Sequence, residues 1–159
     1  MNVVIKKSKI KGAKQGLFVN ATHTFKATDI ICPYEGILVE YDIAVSDEYK
    51  SDYILTAKVD EWCIDAQNTN TPGKYANDCI KADKYNARLV SNDNLTAFLV
   101  AKKTIKPNSE IYVWYGEEYW HDHTHFKLLS TDLRQILYDE SSDEFRDWIE
   151  EHYADSITM

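Results

Sequence analysis

In this 159-residue chain, His121, His123 and His125 stand two residues apart with Asp122 among them, all of types that hold a divalent metal. The spacing argues against that use. On a helix, residues i and i+2 point in different directions, so only a strand or loop would gather them. The segment lies where strand gives way to helix, so exposed or helix-capping histidines are expected, and no metal. Cys32, Cys63 and Cys79 are too few and too far apart for a four-cysteine zinc site or a disulfide framework, which favours a reducing compartment. Gly12 and Gly16 bracket a tight turn, KGAKQG, where the backbone needs freedom. It lacks the spacing and terminal Lys-Ser/Thr of a phosphate-cradling loop, which disfavours a phosphate-binding enzyme. Eleven tyrosines and four tryptophans stand out in so short a chain.

The frame for these residues reads as many short strands followed by helices. VVIKKS and LFVNA flank the glycine turn as β segments. FKATDIICPYEGILVEYD reads as strand, interruption at Pro33, and strand, with Gly36 at a bend or bulge. Residues Ser46 to Tyr53 are polar and ambiguous. YILTAKV and WCIDAQ read as a hairpin turning at Asp60 and Glu61, and NTNTPG as a loop. LTAFLVAKKTI and EIYVWYG read as strands separated by the turn KPNS. After Trp120 the pattern becomes helical over HDHTHFKLLSTDLRQILYD and SSDEFRDWIEEHY. Ser141 and Glu144 have capping-box spacing. Phe145, Trp148, Ile149 and His152 share one helix face, and internal packing is expected for Phe145 and Trp148. The expected fold class is mostly β with terminal helices.

Four segments carry a resemblance: KGAKQGLFV at 11–19, DYILTAKVDEWCIDAQ at 52–67, KYANDCIKADKYNARL at 74–89 and IKPNSEIYVWYGEEYW at 105–120. Their order and spacing resemble the SET-domain protein lysine methyltransferases, particularly the small single-domain members. Lys14, Gln15, Gly16, Leu17 and Phe18 match the family's Gly-x-Gly-Leu/Val-Phe, with Lys14 at the first glycine. YEGILVE at 34–40 resembles a strand that usually reads Tyr-x-Gly-Glu. WCIDAQ followed by KYANDC resembles an Asp-Ala segment preceding Arg-Phe-x-Asn-His-Ser-Cys. Asn77 keeps the asparagine, Asp78 replaces the histidine, and Cys79 follows without the serine. Asn86 and Ala87 resemble Pro-Asn-Ala, with Tyr85 at the proline. SEIYVWYGEEYW resembles Gly-Glu-Glu-Leu-x-x-x-Tyr-Gly and carries Tyr115.

The resemblance implies small curved sheets around a pseudoknot-like crossing in which the YANDC and WYGEEYW segments lie together. It makes residues 1–120 a SET domain and 121–159 a helical carboxy-terminal extension packed on it. It also implies S-adenosyl-L-methionine bound on one face and a peptide in a groove on the other, the target lysine entering through a narrow channel. Methyl transfer needs a neutral amine in line with the sulfonium methyl. An apolar channel and the sulfonium charge favour that neutral form over the ammonium, whose reference pKa is about 10.4. The resemblance makes Tyr115 the hydroxyl beside the reacting atoms and Tyr53 the second active-site tyrosine. Asn77 holds the cofactor by its side chain, and backbone around Lys14, Gln15, Gly16 and Leu17 holds its amino-acid end. Asp78 meets the adenine through its backbone, and Trp120 covers the adenine edge or anchors the following helix. Val113 lines the substrate channel, where a small residue leaves room for higher methylation states. Tyr49 is a further candidate to approach the cofactor, with no role fixed by the alignment.

The formal net charge of −8 offers no excess positive charge to displace counterions, so no direct nucleic-acid binding is expected. The first 28 residues hold six lysines and no acid, which leaves a net −14 on residues 29–159. That surface suits a basic protein or peptide, with a histone tail as the leading substrate and a nonhistone protein as the alternative. A catalytically weak SET-like protein-interaction module is the second reading, motivated by Lys14 and Asp78. No apolar run approaches a membrane span, and MNVVIKKSKIKG lacks the apolar stretch of a secretory signal. An intracellular location is expected, nuclear if the substrate is a histone. The carboxy-terminal helices offer a surface for a homodimer.

Overall fold

The computed structural model of this chain describes residues 1–56, 61–92 and 95–159. The expected turn at Asp60, with the end of YILTAKV, lies outside the described residues. Two compact units form, Met1–Asn77 with Asn86–Val113, and Asp78–Tyr85 with Trp114–Met159.

The first unit is built from small antiparallel sheets. Strands β1 (Val3–Lys7) and β2 (Gln15–Val19) pair across the glycine turn, Val3 opposite Val19 and Lys7 opposite Gln15. Four short strands follow: β3 (Ile30–Tyr34), β4 (Ile37–Glu40), β5 (Ile54–Thr56) and β6 (Trp62–Asp65). The last two are β7 (Ala87–Ser91) and β8 (Ala97–Ala101). They make two three-stranded sheets, ordered β3-β8-β7 and β4-β6-β5. A single helical turn, α1 (Tyr41–Ala44), follows β4. Leu17, Phe18, Val19, Leu99, Ile105, Ile111 and Val113 are fully buried. Strand β2 lies in this core because both its edges are covered. β1 pairs on one side, while Ile111 N–H donates to the Leu17 carbonyl at 2.8 Å on the other.

Three sequence expectations change in this unit. Pro33 does not interrupt its strand; it sits within β3, opposite Phe98. β3 is an edge strand, where a residue without an N–H is tolerated because alternate N–H groups face away from the ladder. EIYVWYG is not a regular strand. It changes partner within three residues, bridging Phe18 at Glu110 antiparallel and Asn77 at Tyr112 parallel, so no ladder propagates. Residues 87–91, unassigned from sequence, form β7.

Gly36 has a reason beyond the bend. A Cβ there would lie 2.5 Å from the Asp65 carbonyl carbon and 2.9 Å from the Ala66 nitrogen. Both are backbone atoms of the neighbouring segment, and neither can swing aside. Gly36→Ala is therefore expected to destabilise the first unit by about 2–3 kcal/mol. Urea denaturation measures this, and an unchanged midpoint would show that the β4–β6 approach is softer than its geometry.

The second unit is helical: α2 (Glu117–Trp120), α3 (His123–Phe126), α4 (Thr131–Glu140) and α5 (Asp143–Tyr153). Asp122 caps α3, accepting from the Thr124 and His125 N–H groups. Ser130 caps α4 through the Leu133 N–H. The expected Ser141–Glu144 box is displaced by one residue, since Ser142 caps α5 and accepts from the Phe145 N–H at 3.4 Å. The carboxylate that completes the cap comes from α2. Ser142 donates its N–H and its hydroxyl to the two Glu117 oxygens at 2.7 and 2.8 Å. Phe145 and Ile149 are buried with Ile80, Trp120, Phe126, Leu137 and Tyr138, and Trp148 packs against that cluster.

The three histidines pack against aromatic rings, and His121 and His123 share Trp148. His121 stacks on Phe145 at 5.1 Å, and the His123 Nδ1 lies 2.8 Å from the Tyr153 hydroxyl. His125 lies flat on Tyr119 at 3.9 Å. They are therefore packing groups around the α3 cap rather than merely exposed side chains. Among the described residues no helix is long and apolar enough to cross a membrane.

Candidate functional site

In the first unit, site residues gather around a buried carboxylate. Glu110 is 3% exposed and accepts from the Ser8 hydroxyl at 2.6 Å and the Lys9 N–H at 2.8 Å. The Tyr112 hydroxyl donates to it at 3.2 Å, and the Asn77 amide reaches it at 3.5 Å. Gly16 makes room for this group. A Cβ at Gly16 would lie 3.0 Å from the Glu110 carboxyl carbon, and nearer still to one oxygen. That is the physical need behind the second glycine of the turn motif.

Asn77 joins two chain segments at this point. Its side-chain amide donates to the Gln15 carbonyl at 2.7 Å, and its own carbonyl accepts from the Val113 N–H at 2.9 Å. Gln15, Gly16, Leu17, Asn77 and Val113 are thus brought together. Lys14 is exposed, and its carbonyl accepts from the Ser8 N–H at 3.3 Å. Lys14 is not among the positive-φ residues, so a side chain fits there without backbone strain. The Val113 side chain is 1% exposed and part of the packed interior.

Tyr53 belongs to a separate cluster of this unit. Its carbonyl accepts from the Tyr34 hydroxyl at 2.7 Å, and the Lys74 ammonium lies 5.1 Å from its ring centre and 5.3 Å from that of Tyr75. Lys74 also donates to the Thr69 carbonyl at 2.6 Å and the Gln67 carbonyl at 3.2 Å. Burial, then the charges of Asp52 and Tyr75, push the Tyr53 hydroxyl above its ordinary pKa, so it stays protonated. Tyr49 donates to Asp65 at 2.5 Å.

Asp65 is buried and also accepts from the Ser51 hydroxyl at 2.7 Å and the Gln67 N–H at 2.9 Å. Burial pushes its carboxyl up, but the hydrogen bonds from Tyr49, Gln67 and Ser51 outweigh this and hold it below the ordinary 3.8. A carboxyl with a lowered folded pKa contributes stability above its unfolded value and loses it as pH falls through the folded one. Thermal melts across pH are therefore expected to show an acid-side loss that is shallower in Asp65→Asn. An identical acid limb in the two proteins would contradict that assignment.

The second unit holds Tyr115, Asp78 and Trp120. Asp78 is 6% exposed, and each of its oxygens takes two donors. One accepts from the Ile80 N–H at 2.7 Å and the Tyr85 hydroxyl at 2.5 Å. The other accepts from the Tyr115 N–H at 3.0 Å and the Trp120 indole N–H at 2.9 Å. Burial pushes the Asp78 carboxyl up, more than these hydrogen bonds pull it down. The Tyr85 hydroxyl is pushed up by burial and then by Asp78. The Tyr115 ring meets Tyr119 edge-on at 4.6 Å and stacks on Trp120 at 6.3 Å. Gly116 follows at φ 94°, a backbone conformation that favours glycine, and immediately precedes α2. The Trp120 indole N–H is thus tied to Asp78 within its own unit.

Sequence reasoning missed Glu110, Asp65 and Tyr85 as site-building residues. The usable signal was Glu110 at the head of the apolar run IYVW, where an acid must be buried or turned away. Burial disfavours the nucleophilic thiolate at Cys32, Cys63 and Cys79. Burial pushes the Cys32 thiol up to about 12 and the Cys79 thiol to about 11.

A family profile described as "SET domain" matches residues 16–116. Among solved structures, ctPRC2 in an autoinhibited conformation bound to S-adenosylmethionine is similar, with TM-score 0.58 and 24% identity. The similarity covers 72% of this chain and 15% of that one. Polycomb repressive complex 2 of Chaetomium thermophilum gives TM-score 0.57 and 23% identity, with the same 72% and 15% coverage. The methyltransferase domain of human PR domain-containing protein 2 gives TM-score 0.56 and 18% identity, covering 72% of this chain and 77% of that one. No curated protein sequence matches the chain.

Proposed function

This chain belongs to the SET-domain family, and on that premise we propose that it transfers methyl groups from S-adenosyl-L-methionine to the side-chain amine of a protein lysine. The observation that carries the reading is the family match over residues 16–116, which contain Gly16, Tyr53, Asn77 and Tyr115. A histone tail is the first substrate to test, and a nonhistone basic protein the alternative. Nuclear location follows only from the histone case.

The residues present fit the cofactor's chemistry. The Asn77 amide both donates and accepts, as an amino-acid end with one ammonium and one carboxylate requires. It sits against the carbonyl of Gln15, the residue that precedes Gly16 and Leu17 in the chain. When bound, S-adenosylmethionine supplies an electrophilic methyl on a sulfonium. In this reading the Tyr115 hydroxyl orients the incoming amine, and the Tyr53 hydroxyl, kept protonated by burial, assists without attracting an ammonium as a carboxylate would. The amine's proton would leave to water, and the two tyrosine hydroxyls would hold the neutral nitrogen toward the methyl group that the cofactor would supply. Val113 sets the space left for further methyl groups.

One observation favours a second reading. Asp78, at the family's histidine, commits both oxygens inside its own unit, which leaves room for a catalytically weak module that recognises proteins. Calorimetric titration with S-adenosylmethionine separates the two. The methyltransferase reading expects saturable binding at one site per chain, and no heat of binding would favour the interaction module.

A further inference from the structure

The Asp78 carboxylate accepts four hydrogen bonds, and two of its donors, the Tyr115 N–H and the Trp120 indole, come from the segment that carries the proposed catalytic hydroxyl. A third donor holds a strained turn. Ile80 lies at φ 66°, a left-handed conformation rarely taken by a β-branched residue, while its N–H donates to Asp78 and its side chain is 3% exposed. The fourth is the Tyr85 hydroxyl. Few side chains satisfy such a site. A neutral histidine offers one acceptor nitrogen, and an asparagine would turn its NH2 toward one pair of donors. Only a carboxylate accepts two donors at each of two atoms. Asp78 stands where the family histidine stands, and Tyr85 where its proline stands.

We propose that Asp78 and Tyr85 act together as positioning residues for methyl transfer, fixing the Tyr115 backbone and the Trp120 indole on which the Tyr115 ring stacks. Tyr115 is thereby held at two points. Its N–H sits on one Asp78 oxygen, and its ring lies against an indole whose N–H sits on the same oxygen. Tyr85 sets the carboxylate from the other side, donating to the second oxygen. The inference rests on the reading of Tyr115 as the hydroxyl beside the reacting atoms. It adds that the two departures from the family pattern form one compensated unit.

The test compares the unaltered chain with Tyr85→Phe, Asp78→Asn and the double variant. Steady-state methyl transfer to a lysine substrate, S-adenosylmethionine titration and thermal melting are measured for each. Rates are read well below every melting temperature. Tyr85→Phe is expected to lower kcat about tenfold, with peptide KM and cofactor Kd within about twofold. Asp78→Asn is expected to lower kcat about 100-fold where it folds, and Tyr85→Phe keeps the test decisive where it does not. The double variant should be no slower than Asp78→Asn, because the hydroxyl acts through the carboxylate. Unchanged kcat in Tyr85→Phe, or fully multiplicative losses in the double variant, would overturn the inference. A lower melting temperature with unchanged kcat would also overturn it, as a purely structural role. Absence of transfer by the unaltered chain would instead overturn the methyltransferase reading and this inference with it.

Discussion

Replacing Tyr115 with phenylalanine is expected to lower methyl transfer by about 100- to 1,000-fold, the range for loss of one preorganised polar group at a reacting centre. The fold should survive. The Tyr115 N–H still reaches Asp78, and the phenyl ring keeps its contacts with Tyr119 and Trp120. What disappears is one oxygen, so the variant separates chemistry from packing. Initial rates with a labelled methyl donor, beside a thermal melt, provide the measurement. A folded variant with full activity would remove Tyr115 from the reaction.

The second large effect concerns stability. Glu110→Ala should destabilise the first unit by about 3–5 kcal/mol, because several buried donors lose their acceptor at once and each costs about 1–3 kcal/mol. The donors affected are the Ser8 hydroxyl and the Lys9 N–H, with the Tyr112 hydroxyl and Asn77 amide beside them. The same change empties the space that Gly16 keeps open and loosens the Gln15–Asn77 contact. Cofactor affinity should therefore fall with stability. Urea denaturation checks the first part and calorimetry the second. An unchanged denaturation midpoint would contradict the account of Glu110 as the centre of that half of the site.

Local pattern made part of this legible. The β1–turn–β2 hairpin, the small strands after it and the helices beyond Trp120 follow from alternation, glycine placement and helical spacing, all short-range properties. Gly16, Asn77 and Tyr115 were legible as motif positions. The buried acids were not. Glu110 takes a hydrogen bond from Ser8, 102 residues away, and Asp78 from Trp120, 42 residues away. The apolar run after Glu110 is the one local hint, and nothing in a window of sequence distinguishes Asp78 from the exposed carboxylates of α5. EIYVWYG misled for a related reason. Its alternation is that of a strand, but its backbone hydrogen bonds are divided among Leu17, Asn77 and the Asn86–Ala87 segment. The displaced helix cap has the same origin, since Ser142 is selected by Glu117 on another helix rather than by a residue three positions on.

Lys14 illustrates the reverse case, a departure from the motif without consequence for the backbone. Its φ is not positive, and the residue is exposed. Asp78 departs from the family residue more deeply, because four donors in its own unit are arranged around it. The first substitution tolerates change and the second requires a carboxylate.

The most direct test of the central claim is incubation with labelled S-adenosylmethionine and a panel of core histones and basic nonhistone proteins, with the modified residue mapped by mass spectrometry. The account predicts label on a lysine side-chain amine, lost in Tyr115→Phe. Label confined to other residue types, or lysine methylation that persists undiminished in Tyr115→Phe, would contradict it.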